Sequence, residues 1–315
     1  MLLLGLILAG CTSAQQHAAD VDQAGERLTV QAPADAESPA AYNNIPLTRF
    51  AATIATLFDI EAPERADPPL DWVCDKVRKL SPGPIDRVVI YNPDAVAQWL
   101  IRKHGDMFKP VREHAPLELP MATMMPSVTP VCFGTMYTGA RPEVHGIQAY
   151  AKPVIKIDTL FDCLLRSGKH PAIVATTGSS MSRIFLERKM DYFILDDAHA
   201  ALKKACELIE QDQHDFIVVY NGDYDSTMHR TGTEAKGALQ ALRFQVEGFD
   251  ALANCIKKHW TRHNTLLTFS TDHGVHDARA IVLTIGKHGK QMPEDINILH
   301  FLGVIPRKEQ PAQPN

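Results

Sequence analysis

From Asp86 onward, short apolar runs rich in β-branched residues alternate with segments of helical period. This alternation constrains the fold more than any other feature of the chain. The runs predict strands at Arg87–Tyr91, Ala172–Thr176, Tyr192–Leu195, Phe216–Tyr220, Leu266–Ser270 and Ile298–Leu302. Between them the periodicity predicts helices at 93–104, Thr129–Thr138, Leu160–Arg166, 200–210 and 239–260, with Asn92 and Pro93 as a cap and first-turn pair for the first of these. Strands alternating with helices imply a mostly parallel sheet covered on both faces, an α/β three-layer sandwich. Two further helical stretches, 49–58 and Asp71–Leu80, precede it across a Pro-rich connector.

The 315 residues suffice for one large domain or two small ones. A net charge of -5 without a basic block argues against nucleic acid as a main partner. Met1–Gly10 is apolar, too short to span a bilayer, and is followed by Cys11. It resembles a bacterial lipoprotein signal, although no Lys or Arg precedes the apolar run. The resemblance implies cleavage before Cys11, lipidation of that residue, and a membrane-anchored chain facing the periplasm or cell exterior. Residues 12–44, rich in Ala, Gln, Asp, Ser and Pro, read as a disordered tether, with order from Ile45 to about 305 and a flexible tail over 306–315. No Cys-x-x-Cys pair is present, and Cys163, Cys206 and Cys255 sit in apolar helical patterns that suit buried, inert thiols.

Open parallel sheets bind ligands beyond the carboxyl ends of their strands. Polar residues gather in the sequence at those ends. Asn92 and Asp94 follow the first strand, Asp223, Asp225 and His229 follow Tyr220, Asp272 and His273 follow Ser270, and His288 lies in a Gly-rich loop. Aspartate with imidazole suits zinc, or manganese as a harder alternative. Each group alone reads as structural; their recurrence at successive strand ends does not.

The segment 125–147, Met-Pro-Ser-Val-Thr-Pro-Val-Cys-Phe-Gly-Thr-Met-Tyr-Thr-Gly-Ala-Arg-Pro-Glu-Val-His-Gly-Ile, resembles the nucleophile segment of type I phosphodiesterases and nucleotide pyrophosphatases, a family of the alkaline phosphatase superfamily. Asn221–Arg230 resembles the family's first metal segment, Ser270–Gly274 its Ser-Asp-His-Gly, and Gly286–Gly289 its late His-Gly. The motifs stand in family order between 87 and about 302. The resemblance implies an alkaline phosphatase-like fold and a small phosphate-ester substrate. It also implies two divalent ions, with Thr129 as nucleophile and a phospho-threonine intermediate. Asp225, His229 and His288 match the ligands of one ion, and Asp272 and His273 match two ligands of the other. Asn92 falls where the family has a further carboxylate, so the ligand is Asn92 through its amide oxygen, or Asp94, or Asn92 only caps a helix.

Two other departures stand out. Cys132 lies near where nucleotide pyrophosphatases often carry an Asn, and the stretch around 277–285 is unusually apolar for a metal loop. His276 offers a further ligand, but reads rather as a supporting or surface residue. Sulfatases share the superfamily, but Thr129 followed by Pro-Val-Cys-Phe does not fit their Cys/Ser-x-Pro-x-Arg pattern. The alternatives to a phosphodiesterase are a phosphomonoesterase or phosphonate hydrolase on the same site, and a catalytically impaired lipoprotein that binds phosphorylated ligands. A small lid from 105–125 or 275–295 is a further expectation.

Overall fold

The computed structural model describes residues 41–280 and 283–308. The expected lipoprotein signal at 1–11, tether residues 12–40 and tail residues 309–315 lie outside them. Seven strands form the main sheet: β1 (Arg87–Pro93), β2 (Leu117–Ala122), β3 (Pro171–Thr176), β4 (Asp191–Leu195), β5 (Phe216–Asn221), β6 (Thr265–Phe269) and β9 (Asn297–Ile305). β7 (His276–Ala280) and β8 (Leu283–Lys287) pair as a separate antiparallel ribbon. The order across the main sheet is β2-β9-β6-β1-β5-β3-β4. β6, β1, β5, β3 and β4 run parallel, while β9 is antiparallel to both β6 and β2. This is the expected mostly parallel α/β sandwich.

Each central strand is buried on both sides, which is why its sequence is apolar throughout rather than alternating. Val88 and Ile90 of β1, with Phe216 and Val218 of β5, face a core shared with helices Phe50–Leu57, Asp71–Leu80, Thr129–Thr138 and Leu160–Arg166. Val89, Tyr91, Ile217 and Val219 face the opposite core, built with helices Gln98–Lys103, Ala198–Gln211 and Lys236–His259. Two hydrophobic layers therefore clamp the sheet, and polar side chains are left for its carboxyl edge.

Several expectations need correction. The first crossover does not begin at Asn92: β1 continues through Pro93, pairing Asn92 with Tyr220 and Pro93 with Asn221. Ala95 then turns in the left-handed region at φ 69°, and the helix starts only at Gln98. The apolar pull of the sheet core outweighs the local cap signal, so Asn92 caps nothing. Of the suggested lid 105–125, residues 117–122 are instead the edge strand β2, where Pro120 is tolerated because only β9 pairs with it. Residues 41–44 belong to the domain: Asn43 N–H donates to Asn297 Oδ1 at 2.8 Å, and its side-chain amide donates to Met121 O at 2.8 Å. At the other end, Arg307 and Lys308 donate backbone N–H groups to Asn264 Oδ1 and Thr261 O. Cys206 and Cys255 are joined in a disulfide between the two long helices rather than lying as separate thiols; Cys163 is buried and free.

Candidate active site

β6, β1 and β5 are neighbours, so their carboxyl ends bring Asp272 and His273, Asp94, and Asp225 and His229 to one place. The β7–β8 ribbon delivers His288. The nucleophile candidate arrives from the far edge: β2 leads into a loop whose Thr123 donates its N–H to Ile296 O and its hydroxyl to Asp272 O. That loop ends at Thr129, the first residue of the helix closed by Gly139 at φ 66°.

The cap of this helix is Val128, and it makes no side-chain cap bond. The Thr129 hydroxyl is thus not used for capping. Its Oγ1 lies 3.3 Å from His273 Nε2 and 3.5 Å from Asp94 Oδ2. Pro130 has no N–H, and the amides of Val131 and Cys132 close back on Val128 O at 3.0 Å each. The first-turn donor left for a phosphoryl oxygen is then the Thr129 amide, fewer than the sequence suggested.

Position 92 and position 94 separate cleanly. The Asn92 amide is buried and engaged at both ends: Nδ2 donates to Ser270 O at 2.6 Å, and Oδ1 accepts from Tyr137 Oη–H at 2.5 Å. Asn92 therefore ties β1 to β6 and to the helix Thr129–Thr138, and its amide oxygen is already engaged by Tyr137. Asp94 differs. Its Oδ2 accepts from Tyr220 Oη–H at 2.6 Å, while Oδ1 accepts no hydrogen bond and lies 3.5 Å from His273 Nε2.

All three imidazoles are oriented the same way. His229 Nδ1–H donates to Gly286 O at 2.9 Å, His273 Nδ1–H to Gly274 O at 3.0 Å, and His288 Nδ1–H to Ser127 O at 2.8 Å. A carbonyl only accepts, so each Nδ1 carries a proton and each Nε2 is turned inward, the arrangement that orients metal ligands. Asp225 Oδ1 is 3.2 Å from His229 Nε2 and 3.5 Å from His288 Nε2, and those two nitrogens are 3.1 Å apart. Asp272 Oδ2 is 3.3 Å from His273 Nε2. Donor atoms of a tetrahedral zinc site with bonds near 2.1 Å stand about 3.4 Å from one another. The observed spacings therefore match what an ion would require. Moreover, Asp94 Oδ1, Asp225 Oδ1 and Asp272 Oδ2 are buried and accept no hydrogen bond. Buried unpaired carboxylate oxygens are costly unless a cation compensates them. Two donor sets result, Asp225/His229/His288 and Asp94/Asp225/His273, with Asp225 common to both and Asp272 beside the second.

The electrostatics agree. Burial, reinforced by Asp272 and Asp225, holds the Asp94 carboxyl well above its usual range. Burial likewise pushes Asp272 up to about 8. Asp225 goes the other way: burial would raise it, but the imidazoles of His229 and His288 outweigh burial and hold it low. Burial drives His273 well below the ordinary imidazole value. Asp225 raises His229, and its contact with His288 overcomes burial there. Three carboxylates in one dry site resist ionising together, and a bound cation would reverse that resistance.

Sequence reasoning did not find Tyr220, Tyr137 or Ser127, which orient Asp94, Asn92 and His288. Ser127 and Tyr137 lay within the 125–147 segment, and Tyr220 lay outside every motif. His276 is outside the cluster, its Nδ1–H donating to Asp295 Oδ1 at 2.7 Å. Asp223 is also apart; it opens the helix Asp223–Thr231, its backbone N–H donating to Asn221 Oδ1. Cys132 is fully buried, and burial raises its thiol.

No protein-family model matches the sequence, and no curated protein does. Solved structures do match in fold. An inactive murine ectonucleotide pyrophosphatase/phosphodiesterase 5 in complex with AMP aligns at a TM-score of 0.56 with 12% identity, covering 70% of this chain and 88% of that one. A second murine structure of the same protein gives 0.53 and 13%, with the same coverage. Phosphonoacetate hydrolase from Sinorhizobium meliloti in complex with phosphonoformate gives 0.46 and 14%, covering 63% of this chain and 59% of that one. The chain has the alkaline phosphatase-like fold of the two murine structures.

Proposed function

We propose that this protein is a metal-dependent hydrolase of phosphate esters, foremost of phosphodiesters, acting through Thr129. One observation carries the reading. The Thr129 hydroxyl, free of any capping duty, stands 3.3 Å from His273 Nε2 and 3.5 Å from Asp94 Oδ2, beside three carboxylate oxygens that accept no hydrogen bond. The AMP-bound phosphodiesterase among the structures of like fold supports a small phosphate-ester substrate.

Two divalent ions, zinc first and manganese second, would be held by Asp225, His229 and His288 and by Asp94, Asp272 and His273; they would lower the pKa of the Thr129 hydroxyl and offset phosphoryl charge. Thr129 Oγ1 attacks phosphorus, the new P–O bond forms, and the ester oxygen leaves in line as the alcohol or phosphate. The hydroxyl proton passes to Asp94 Oδ2, 3.5 Å away, and a proton from solvent completes the leaving alcohol. Water then hydrolyses the phospho-threonine and restores the hydroxyl. The helix dipole and the Thr129 amide favour negative charge at this point. Tyr220 holds Asp94 through Oδ2, which leaves Oδ1 free to take an ion.

The rival reading, a metal-poor binding protein, rests on Asn92 at a ligand position; the unpartnered carboxylate oxygen of Asp94 supports the enzyme instead. The test compares aryl phosphodiester, phosphomonoester and sulfate ester, with and without zinc or manganese, on wild type and Thr129→Ala. Metal-dependent diester hydrolysis that falls about a thousandfold or more in Thr129→Ala is expected. Undiminished turnover by that variant rejects the nucleophile, and faster monoester cleavage shifts the substrate class. We also propose export and anchoring through Cys11, which supplies a compartment suited to the Cys206–Cys255 disulfide. Labelling by radioactive palmitate that persists in Cys11→Ser would refute the anchor.

A further inference from the structure

Asp295 lies outside every motif in the sequence, yet it is fully buried. Its Oδ1 accepts from His276 Nδ1–H at 2.7 Å and its Oδ2 accepts from Lys290 N–H at 2.8 Å. His276 opens β7, and Lys290 follows the end of β8 by three residues, with His288 between. One carboxylate therefore grips both feet of the ribbon that carries His288. The same residue reaches the other ligand loop through its backbone: Asp295 O accepts from Gly274 N–H at 2.8 Å, directly after His273. That approach is so close that a Cβ on Gly274 would meet Glu294 O at 2.0 Å. Only glycine allows the segment 294–295 to dock against the His273 loop.

We propose that Asp295 is a positioning residue for the candidate metal ligands, setting His288 through the ribbon and His273 through Gly274; this rests on the two-ion reading above. The physical need is plain. Among the described residues the ribbon makes no strand pairing with the main sheet, and an isolated two-stranded ribbon is marginal by itself. His288 is held on one side by Ser127, whose carbonyl takes its Nδ1–H and whose Oγ accepts from Gly289 N–H at 3.1 Å. Asp295 supplies the second support, two residues further on. His229 Nδ1–H holds the ribbon at Gly286 O before His288; after it, loss of Asp295 would leave Ser127 alone, and the 3.1–3.5 Å spacing to His229 and Asp225 would loosen.

The test uses the full chain stripped with chelator. Zinc is titrated calorimetrically into wild type, Asp295→Asn, His276→Gln and Asp250→Asn, and hydrogen exchange of the Lys290 amide is followed in the ion-free proteins. Asp295→Asn keeps shape but can accept only one of the two N–H groups. It should weaken zinc binding 10- to 100-fold, the range for ligand-orienting partners, and speed Lys290 exchange at least about tenfold. His276→Gln should shift both readouts in the same direction by less. Asp250→Asn removes a comparable carboxylate–imidazole pair, with His114 at 2.7 Å, away from the ribbon, and should change neither. Unaltered zinc affinity in Asp295→Asn, with wild type binding two ions, overturns the proposal. Wild type that binds no zinc defeats the two-ion reading instead. If Asp295→Asn does not fold, His276→Gln and wild type decide: an unprotected Lys290 amide in wild type overturns the clamp.

Discussion

His300 makes the acid stability of this protein predictable. It sits on β9, fully buried, with Phe50 edge-on at 5.2 Å between ring centroids. Its Nε2–H donates to Thr271 O at 2.7 Å, and Nδ1 has no partner at all. Protonation would bury a charged N–H without an acceptor, and burial accordingly pulls the imidazole from 6.5 down to about 4. The folded value is the lower one, so the unfolded chain binds the proton first. Stability is complete above pH 6.5 and declines as pH falls through the window from 6.5 to about 4. At about 1.36 kcal/mol per pH unit, the whole window is worth roughly 3 kcal/mol from this residue, with a slope of about 1.2 kcal/mol per pH unit near pH 5. That is a large part of a typical total of about 5–15 kcal/mol. The assay is urea unfolding between pH 7.5 and 4.5 for wild type and His300→Gln, whose amide can still donate to Thr271 O without titrating. The difference in slope between the two isolates His300 from every other group. Parallel curves through pH 5 would refute the reasoning.

Other outcomes follow from the same geometry. Asn92→Asp should not tighten metal binding, and should destabilise by about 1–3 kcal/mol, because a carboxylate oxygen would face Ser270 O where the amide now donates; calorimetric titration and urea unfolding check both. Gly134→Ala places a Cβ 2.7 Å from the His145 ring, which itself holds Thr135 on the nucleophile helix, and should destabilise by about 1–3 kcal/mol while lowering kcat. Chelation should lower Tm, with stabilisation reaching about 4 kcal/mol when free ion exceeds Kd a thousandfold, read by calorimetry at fixed protein concentration. Replacing Cys206 and Cys255 by Ser reopens a loop with a sequence separation of 49 and should remove about 4 kcal/mol in the chain-entropy account, measured by urea unfolding.

The central strands β1, β3, β5 and β6 were legible because they are buried on both faces. Each appears as a run of apolar residues, such as Phe216–Tyr220, that no surface element would carry. β2 escaped notice because its pattern is interrupted by Glu118 and Pro120, which an edge strand tolerates and a central one does not. The helix at Asn92–Pro93 was misplaced because a cap signal is local, whereas the register that carries β1 to Pro93 is set by β5, where Asn221 pairs with Pro93 from 128 positions further along the chain. The candidate ligand residues were legible as residue types at strand ends. Choosing between Asn92 and Asp94 was not, because that choice depends on Tyr137 and Tyr220 approaching from other elements. Asp295 left no trace in the sequence, since a carboxylate that serves two backbone-proximal donors has no spacing rule.

Anomalous diffraction at the zinc edge from crystals of the metal-loaded protein tests the central claim most directly. Two peaks are predicted, one among Asp225, His229 and His288 and one among Asp94, Asp272 and His273, both close to Thr129 Oγ1. Peaks elsewhere, or a metal bound through the Asn92 amide oxygen, would contradict it.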